Sequence, residues 1–497
     1  MFDARGWPVI RHFLRFAIDS TFGFRTSEFS MSATHKADVL IIGAGPAGYV
    51  AAIRLAQLGR KVVVIERERV GGICLNWGCI PVKSLLHAAA TVRSAAEARR
   101  MGIVFGQPQI DIQALYGWKT RVVDRLVRGV EFLLRSNGVE VVKGTARFLD
   151  ARRVMVTQPD GTEAEMGADN IVIATGSEPV VLPGLEPDGQ SVLDSTGALN
   201  LNRLPTRVVV IGAGAIGLEF ATIFRRLGAS VTVLELMPQL LPGFDLEASA
   251  ALRKAMESEG VEFHLGVKVS GLDREPGLRV KYAAGEAESS VEADAVLVAV
   301  GRKPLLTGLE LDKAGVKVDE RGFVAVDQKY RTSAGHVYAI GDVKPGLLLA
   351  HRAMADGISL AESLAGGRQW RFKAVPSCVY TDPEVASVGI NEAEALSQGL
   401  DVKVSRVPLS AVGRSLTLGR SDGLCKMVVD AQTDKVLGVQ LVAPGADVLI
   451  AEAAVAVELG LTAADIGRVV HAHPTMSELL FEAAEAIHSK AVHIVNR

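Results

Sequence analysis

Two cysteines five positions apart, Cys74 and Cys79, lie in the segment GGICLNWGCIPVK (residues 71–83) and are the side chains of this sequence best suited to redox chemistry. In an undistorted α-helix the Cα atoms of residues i and i+5 stand roughly 8.7 Å apart, from the standard rise and radius. A disulfide joins Cα atoms no more than about 7 Å apart. If the two bond, the backbone between them must leave the helical path, and a bond that carries distortion is the easier one to reduce. The other cysteines, Cys378 and Cys425, are isolated. No secreted disulfide framework is present, and a reducing compartment fits.

The elements that must position this pair are written in the glycines. Residues 38–42 (DVLII) read as a short buried strand running into Gly43, Gly45 and Gly48. An apolar-periodic helix then extends to about Leu58, and a second strand over residues 61–65 ends at Glu66. This is the context a G-x-G-x-x-G pattern needs to mark a dinucleotide site. Gly43 permits the tight turn, Gly45 admits a pyrophosphate to the backbone amides, and Gly48 lets helix and strand pack closely. The helix N-terminus favours the phosphates, and Glu66 is placed to accept hydrogen bonds from a ribose. The same unit returns over residues 207–235, with Gly212, Gly214 and Gly217, a helix, a strand over residues 230–234 and Glu235. In both copies the first glycine and the acid are equally spaced. A carboxylate at that strand end bonds both ribose hydroxyls of NAD and repels the 2′-phosphate of NADP. NAD is expected at the second site. Two dinucleotides on one chain suggest an electron carrier, so FAD is expected at the first.

A length of 497 residues suits about three or four domains. The net charge of -2, with both signs interspersed, leaves no electrostatic footprint for nucleic acid. No apolar run reaches the roughly 18 residues of a membrane span, and no metal site is expected. Residues 1–36 stand apart. Their apolar stretch, residues 6–24, is interrupted by Arg11, His12 and Arg15, which is wrong for a signal-peptide core. The segment reads either as a disordered or over-extended start, with Met31 just ahead of the first strand, or as a basic presequence, a reading that Asp3, Asp19 and Glu28 weaken. A cytoplasmic location is expected, with the mitochondrial matrix as the alternative if the segment is a presequence.

Further motifs follow in order: GGICLNWGCIPVKSLL (residues 71–86), Ala174-Thr175-Gly176, GAGAIGLE (residues 212–219), Val300-Gly301-Arg302, Ala339-Ile340-Gly341-Asp342 and HAHPTMSE (residues 471–478). On these motifs the chain, from about Ala37 onward, resembles the flavin-dependent disulfide reductases (class I pyridine nucleotide-disulfide oxidoreductases), most closely the dihydrolipoyl dehydrogenases. The resemblance implies an α/β fold with two Rossmann-like dinucleotide-binding domains, for FAD and NAD, plus a C-terminal α+β dimerisation domain. The FAD domain would span residues 37–180 and return over 304–374. The NAD domain would span 181–303 and the interface domain 375–497. Implied FAD contacts, beyond the first glycine turn and Glu66, are Lys83, Ala146, Thr175, Gly176 and Ser177, with Asp342 on the ribityl chain. The backbone of Leu348, Leu349, Ala350 and His351 would lie under the pyrimidine edge, where a helix N-terminus stabilises negative charge. Implied NAD contacts add Glu219, Val269 and Gly301 to Glu235 and the second glycine turn.

The resemblance also implies a mechanism. Cys74 would be the interchange thiol facing the disulfide substrate, and Cys79 the partner facing the flavin. Lys83 would pair with Glu219 beside the flavin and lower the thiolate pKa; read alone, it is a solvated helix lysine. It sits on a helix that Pro81 could open or bend. His473 would be the general base, since an imidazole titrates in the right range to take a thiol proton. Pro474 restricts the backbone before it, so His473 is expected to be extended. Glu478, on the next helix, could hold the ring in one tautomer. His471 reads as packing. In this family base and thiols meet only across the dimer interface. The partners implied are a second copy of the chain and a lipoyl-bearing acyltransferase or glycine cleavage carrier protein.

The chain departs from the family pattern at Trp77, Val82, Leu348, Val412 and Val448; the last two leave dimer contacts or partner docking open. The rival readings are a related NAD(P)H-dependent disulfide or mercuric reductase, or a non-catalytic subunit that keeps the fold. Glu235 argues against an NADP-dependent glutathione reductase. The final residues, HIVNR, carry no extra cysteines of the mercuric reductase kind.

Overall fold

The computed structural model describes residues 35–496. The expected disordered start or presequence lies outside the described residues, apart from the first two residues of the opening strand. That strand, His35–Ile42, is longer than its apolar run suggests. It pairs in parallel with Val62–Glu66, which pairs in parallel with Glu140–Lys143. On the other side Glu163–Ile173 continues the sheet into an antiparallel meander with Arg153–Thr157 and Thr145–Asp150, and Val337–Ala339 also joins Glu163–Ile173. Seven strands result. Leu40, Ile41, Val63 and Val64 are all buried, the pattern of strands covered on both faces. Helix Pro46–Gln57 packs on helix Ala350–Leu364, where a Cβ at Gly357 would meet the Ala47 carbonyl oxygen at 2.7 Å.

The second glycine unit builds its own sheet. Five strands run in the order Val261–Leu265, Ser230–Glu235, Arg207–Ile211, Ala295–Val298 and Val192–Leu193, parallel throughout. A three-stranded antiparallel sheet (Lys268–Asp273, Leu278–Ala284, Ala287–Ala293) packs beside it and shares its core through Val280 and Val296. The chain enters this unit at Ser177–Pro179 and leaves at Arg302–Pro304; the two segments pair as a short antiparallel ribbon. Insertion of one sheet unit into another is thereby closed at a single crossing point.

The C-terminal unit is a five-stranded antiparallel sheet, in the order Ser377–Val379, Glu384–Gly389, Val436–Ala443, Leu424–Asp430 and Val402–Pro408. Helices Ala446–Leu459 and Glu478–Ile487 cover it, burying Ile450, Leu479 and Leu480 against Met427 and Leu441. The α/β fold with two nucleotide-type sheets and an α+β C-terminal unit is present.

Helix Cys79–Glu97 is held against both other units by charge. Arg93 lies 2.5 Å from Glu259 and 2.9 Å from Asp382, Arg226 joins the same two acids, and Arg420 reaches Glu97 at 3.1 Å. Three cations and three anions close a partly buried network, so neither sign is left over. Among the described residues no helix is long and apolar enough to cross a membrane.

Candidate functional site

The break required between Cys74 and Cys79 is present. A one-turn helix, Gly72–Asn76, carries Cys74 and stops at Trp77 (φ -138, ψ 15). Gly78 (φ -141, ψ -108) lies off the helical path, and the long helix starts at Cys79. Pro81 therefore does not open that helix, as its ring suggests it could. It is the third helical residue, where the missing N–H has no intrahelical partner to lose. Asn76, buried, steadies the turn by donating from Nδ2 to the carbonyl oxygens of Val70 and Gly72. The whole segment leans on the first glycine turn: a Cβ at Gly72 (φ +57) would meet Gly45 Cα at 2.6 Å.

The two thiols are hydrogen-bonded and unequal. The hydrogen bond from Cys74 and the charge of Lys83 outweigh burial and hold Cys79 down to about 7. The same bond, with burial, pushes Cys74 up. A reduced pair therefore keeps its proton on Cys74 and its negative charge on Cys79. Lys83, one turn along the helix, donates to both oxygens of buried Glu219 at 2.8 and 2.9 Å. Tyr380 closes this group. Its N–H donates to Glu219 Oε1 at 3.1 Å and its ring lies 4.3 Å from Lys83 Nζ. Tyr380 carries no motif signal, and its role is visible only in three dimensions.

Both glycine turns use their acid alike. Glu66 Oε2 accepts the N–H of Ala44 at 2.8 Å, and Glu235 Oε2 accepts that of Ala213 at 2.6 Å. The second oxygen of each takes the N–H two residues on, from Glu68 and Met237. The acids thus sit at the mouths of the turns. Helices Pro46–Gln57 and Ala215–Arg226 begin at Gly45 and Gly214 with no side-chain cap, so their first amides remain available to an anion. A Cβ at Gly48 would meet the Gly43 carbonyl oxygen at 1.9 Å, and one at Gly217 the Gly212 oxygen at 2.0 Å. Uncapped amides, bare glycine backbone and a strand-end carboxylate fit a dinucleotide at each turn.

The remaining expected contacts fall into two groups. Near the first turn, the Ala174 carbonyl faces Gly43, Thr175 Oγ1 donates to the Leu305 carbonyl at 2.7 Å, and Gly176 takes φ +77. Ser177 Oγ donates to Asp342 at 2.7 Å and receives Arg302 Nε at 2.8 Å. Burial raises the Asp342 carboxyl, while Ser177 and Arg302 oppose that. Leu348, Leu349 and Ala350 lead into the uncapped start of helix Ala350–Leu364, and the His351 ring is occupied by the Pro376 carbonyl at 2.7 Å. Ala146 lies buried in strand Thr145–Asp150. Near the second turn, Gly301 (φ +128) accepts the Val180 N–H, and Val269 sits at a bulge opposite Tyr282.

His473 and Glu478 meet as expected, with His473 Nδ1 2.8 Å from Glu478 Oε1. The other oxygen accepts the Thr475 N–H at 2.9 Å. His473 precedes the helix that starts at Glu478, and its side chain is 74% exposed. The influences that shift Cys74 are, in order, its bond to Cys79, burial and the charges of Cys79 and Lys83. His471 is held by Glu452 and the Val469 carbonyl.

Two family models match successive stretches of the chain. The family model for pyridine nucleotide-disulphide oxidoreductases matches residues 37–357, and that for the dimerisation domain of such enzymes matches residues 375–484. A dihydrolipoyl dehydrogenase of Thermus scotoductus is 50% identical over 464 residues, covering 93% of this chain and 99% of that protein. One from Geobacillus stearothermophilus is 42% identical, covering 93% and 98%. Among solved structures, LpdA from Mycobacterium tuberculosis superposes with a TM-score of 0.84 at 28% identity, over 91% of this chain and 99% of that one.

Proposed function

This chain belongs to the pyridine nucleotide-disulphide oxidoreductase family, and from that premise we propose that it oxidises protein-bound dihydrolipoyl groups to lipoyl groups, with NAD as the final acceptor. The observation that carries this reading is the unequal thiol pair. Cys74 and Cys79 lie on either side of a helix break, packed on one glycine turn and tied through Lys83–Glu219 to the helix of the other.

FAD would be held by the turn at Gly43–Gly48 with Glu66, Asp342 and the amides at Leu349–His351; NAD would be held by the turn at Gly212–Gly217 with Glu235. Bound there, a flavin would supply two-electron redox chemistry between the thiol pair and the nicotinamide. The chain's own residues do the rest. His473 takes the proton of one dihydrolipoyl thiol, with Glu478 fixing its tautomer. The thiolate attacks Cys74 Sγ; the Cys74–Cys79 bond breaks and Cys79 leaves as a thiolate, which its depressed pKa favours. The second substrate thiol then attacks the mixed disulfide at the substrate sulfur, its own proton passing to solvent; Cys74 is displaced and takes the proton held by His473, and lipoyl departs. Substrate has lost two electrons and the pair has gained them.

The base is supplied to Cys74 of the partner subunit, so the working unit is a homodimer. Val448, Val455 and Leu459, exposed along helix Ala446–Leu459 in the unit matched by the dimerisation model, give that assembly an apolar face to bury. The lipoyl group comes on a separate carrier, an acyltransferase or glycine cleavage protein, in the cytoplasm. Steady-state assays with dihydrolipoamide, glutathione and Hg(II), each with both nicotinamides, test this reading. It predicts turnover with dihydrolipoamide and NAD; a preference for glutathione or Hg(II) with NADPH would overturn it.

A further inference from the structure

Tyr380 reaches the Lys83–Glu219 pair from the C-terminal unit, directly after strand Ser377–Val379. Packing fixes its place. Val379 beside it and Val82 beside Lys83 belong to one buried apolar cluster, and Tyr380 packs on that cluster. On its other side buried Thr381 donates from Oγ1 to the Pro383 carbonyl at 2.8 Å.

Two contacts follow from this placement. The Tyr380 N–H donates to Glu219 Oε1 at 3.1 Å, and Lys83 Nζ lies over the Tyr380 ring, 4.3 Å from its centre. Lys83 also donates to both Glu219 oxygens, at 2.8 and 2.9 Å. An ammonium that meets a carboxylate and a ring face is attracted by both. The second hold matters because the pair is unevenly covered: the Glu219 side chain is 6% exposed and that of Lys83 31%. A strongly hydrated charge on a flexible four-carbon stem otherwise swings towards water. Lys83 and Cys79 stand four residues apart on one helix, on the same face at successive turns. An ammonium that stays in place is therefore a charge kept beside the redox segment.

We infer that Tyr380 is a positioning residue for the redox pair: its ring holds the Lys83 ammonium against Glu219, one helical turn from Cys79, and so steadies a thiolate there. The hydroxyl takes no part in these contacts; the ring face does. The inference rests on the proposed redox role of Cys74 and Cys79, and not on which disulfide they exchange with. Burial pushes the Tyr380 hydroxyl up to about 12 and the Cys378 thiol up to about 11, so both stay neutral near pH 7. Glu384, raised by burial to about 8, accepts the Asp447 N–H at 3.2 Å, and Arg302 is bonded to Ser177. These neighbours are common to every variant below and cancel in the differences.

The test is the pH titration of the long-wavelength thiolate absorbance of the flavin-loaded protein reduced with dithiothreitol. It compares the unaltered protein, Tyr380→Phe, Tyr380→Leu, Lys83→Met and the double variant of Tyr380→Leu with Lys83→Met. Loss of the ring should raise the midpoint of Tyr380→Leu by about 0.3–0.7 pH unit, roughly a two- to fivefold drop in the ratio of thiolate to thiol, as expected of one part-exposed cation–π contact. Tyr380→Phe keeps the ring face and should keep the midpoint. Once Lys83 is replaced by Met, Tyr380→Leu should add nothing, whereas a general loosening of the packing would still shift the midpoint. Between about 0.05 and 1 M NaCl the midpoint should hold steady in the unaltered protein and drift upward in Tyr380→Leu, whose freed ammonium is screened. An unmoved midpoint in Tyr380→Leu, or equal shifts with and without Lys83, would overturn the role of Tyr380. If Tyr380→Leu does not fold, a midpoint of the unaltered protein that climbs with salt would overturn it instead. A protein that forms no thiolate band would overturn the proposed function as well, and one that titrates as expected yet is inert to dihydrolipoamide would overturn the substrate alone.

Discussion

Lys83 Nζ lies within 2.9 Å of both carboxylate oxygens of Glu219, joining the helix that starts at Cys79 to the helix that starts after Gly214. One ion pair therefore spans the redox segment and the second nucleotide turn. Glu219 is buried, and its second contact, the Tyr380 N–H, brings in the C-terminal unit.

That pair makes the acidity of Cys79 a measurable property of Lys83. The Cys79 thiol stands at about 7, lowered first by Cys74 and then by Lys83. Thiolate is the form present above this value. In Lys83→Met the midpoint should rise by about one unit or more, towards the ordinary thiol range. Titrating the thiolate-dependent long-wavelength absorbance of the reduced protein reads it. An unmoved midpoint would separate Lys83 from the thiol.

His473→Gln should lower dihydrolipoamide turnover by roughly 10²–10⁴-fold, the usual worth of a positioned base. Glu478→Gln should cost less, because the ring remains although its Nδ1 anchor is weakened. Stopped-flow measurement of the half-reaction with dihydrolipoamide isolates the step. An unchanged rate in His473→Gln would remove this ring from the mechanism.

Glu235→Ala should narrow the preference for NAD over NADP by about tenfold or more, since charged hydrogen bonds are worth about 1.5–3 kcal/mol. The carboxylate also accepts the Ala213 and Met237 amides. Glu235→Gln, whose amide oxygen can keep one of those two acceptors, should disturb the turn less than Ala and still lose the repulsion of a 2′-phosphate. Equal NAD/NADP ratios in all three proteins would count against the ribose contact.

Glu384 predicts a stability change confined to one pH window. Burial, with repulsion from Asp447 opposing a backbone hydrogen bond, raises its carboxyl from 4.5 to about 8. The folded state therefore holds this proton more tightly than the unfolded chain. Its stabilisation is complete below about pH 4.5 and is lost as the pH climbs to 8. Glu384→Gln does not titrate, so its Tm relative to the unaltered protein should rise between pH 5 and 8.5, by about 2 °C or more. A constant Tm difference across that range would contradict the shift.

What the sequence made legible was what local sterics demand. Gly43 and Gly48 leave their mark because the turn needs φ +102 at one and no Cβ at the other. The need for a broken helix between Cys74 and Cys79 follows from bond geometry alone. Its location at Trp77–Gly78, with Pro81 inside the helix, depends on packing against Gly45. The contact of Tyr380 with Glu219, across 161 residues and outside every motif, left no trace. Buried Glu482, 2.6 Å from His493 Nδ1, was equally hidden, because a histidine beyond a helix end resembles many solvated ones.

In the proposed reaction electrons enter through the Cys74–Cys79 pair. Anaerobic titration of the purified flavoprotein with dihydrolipoamide, followed by NAD, tests this most directly. About one equivalent per chain should produce the long-wavelength thiolate absorbance, and NAD should then discharge it with one equivalent of NADH formed. Substitution Cys79→Ser should abolish the band. A protein that shows no such band, or a Cys79→Ser protein that still forms NADH from dihydrolipoamide, would contradict the assignment.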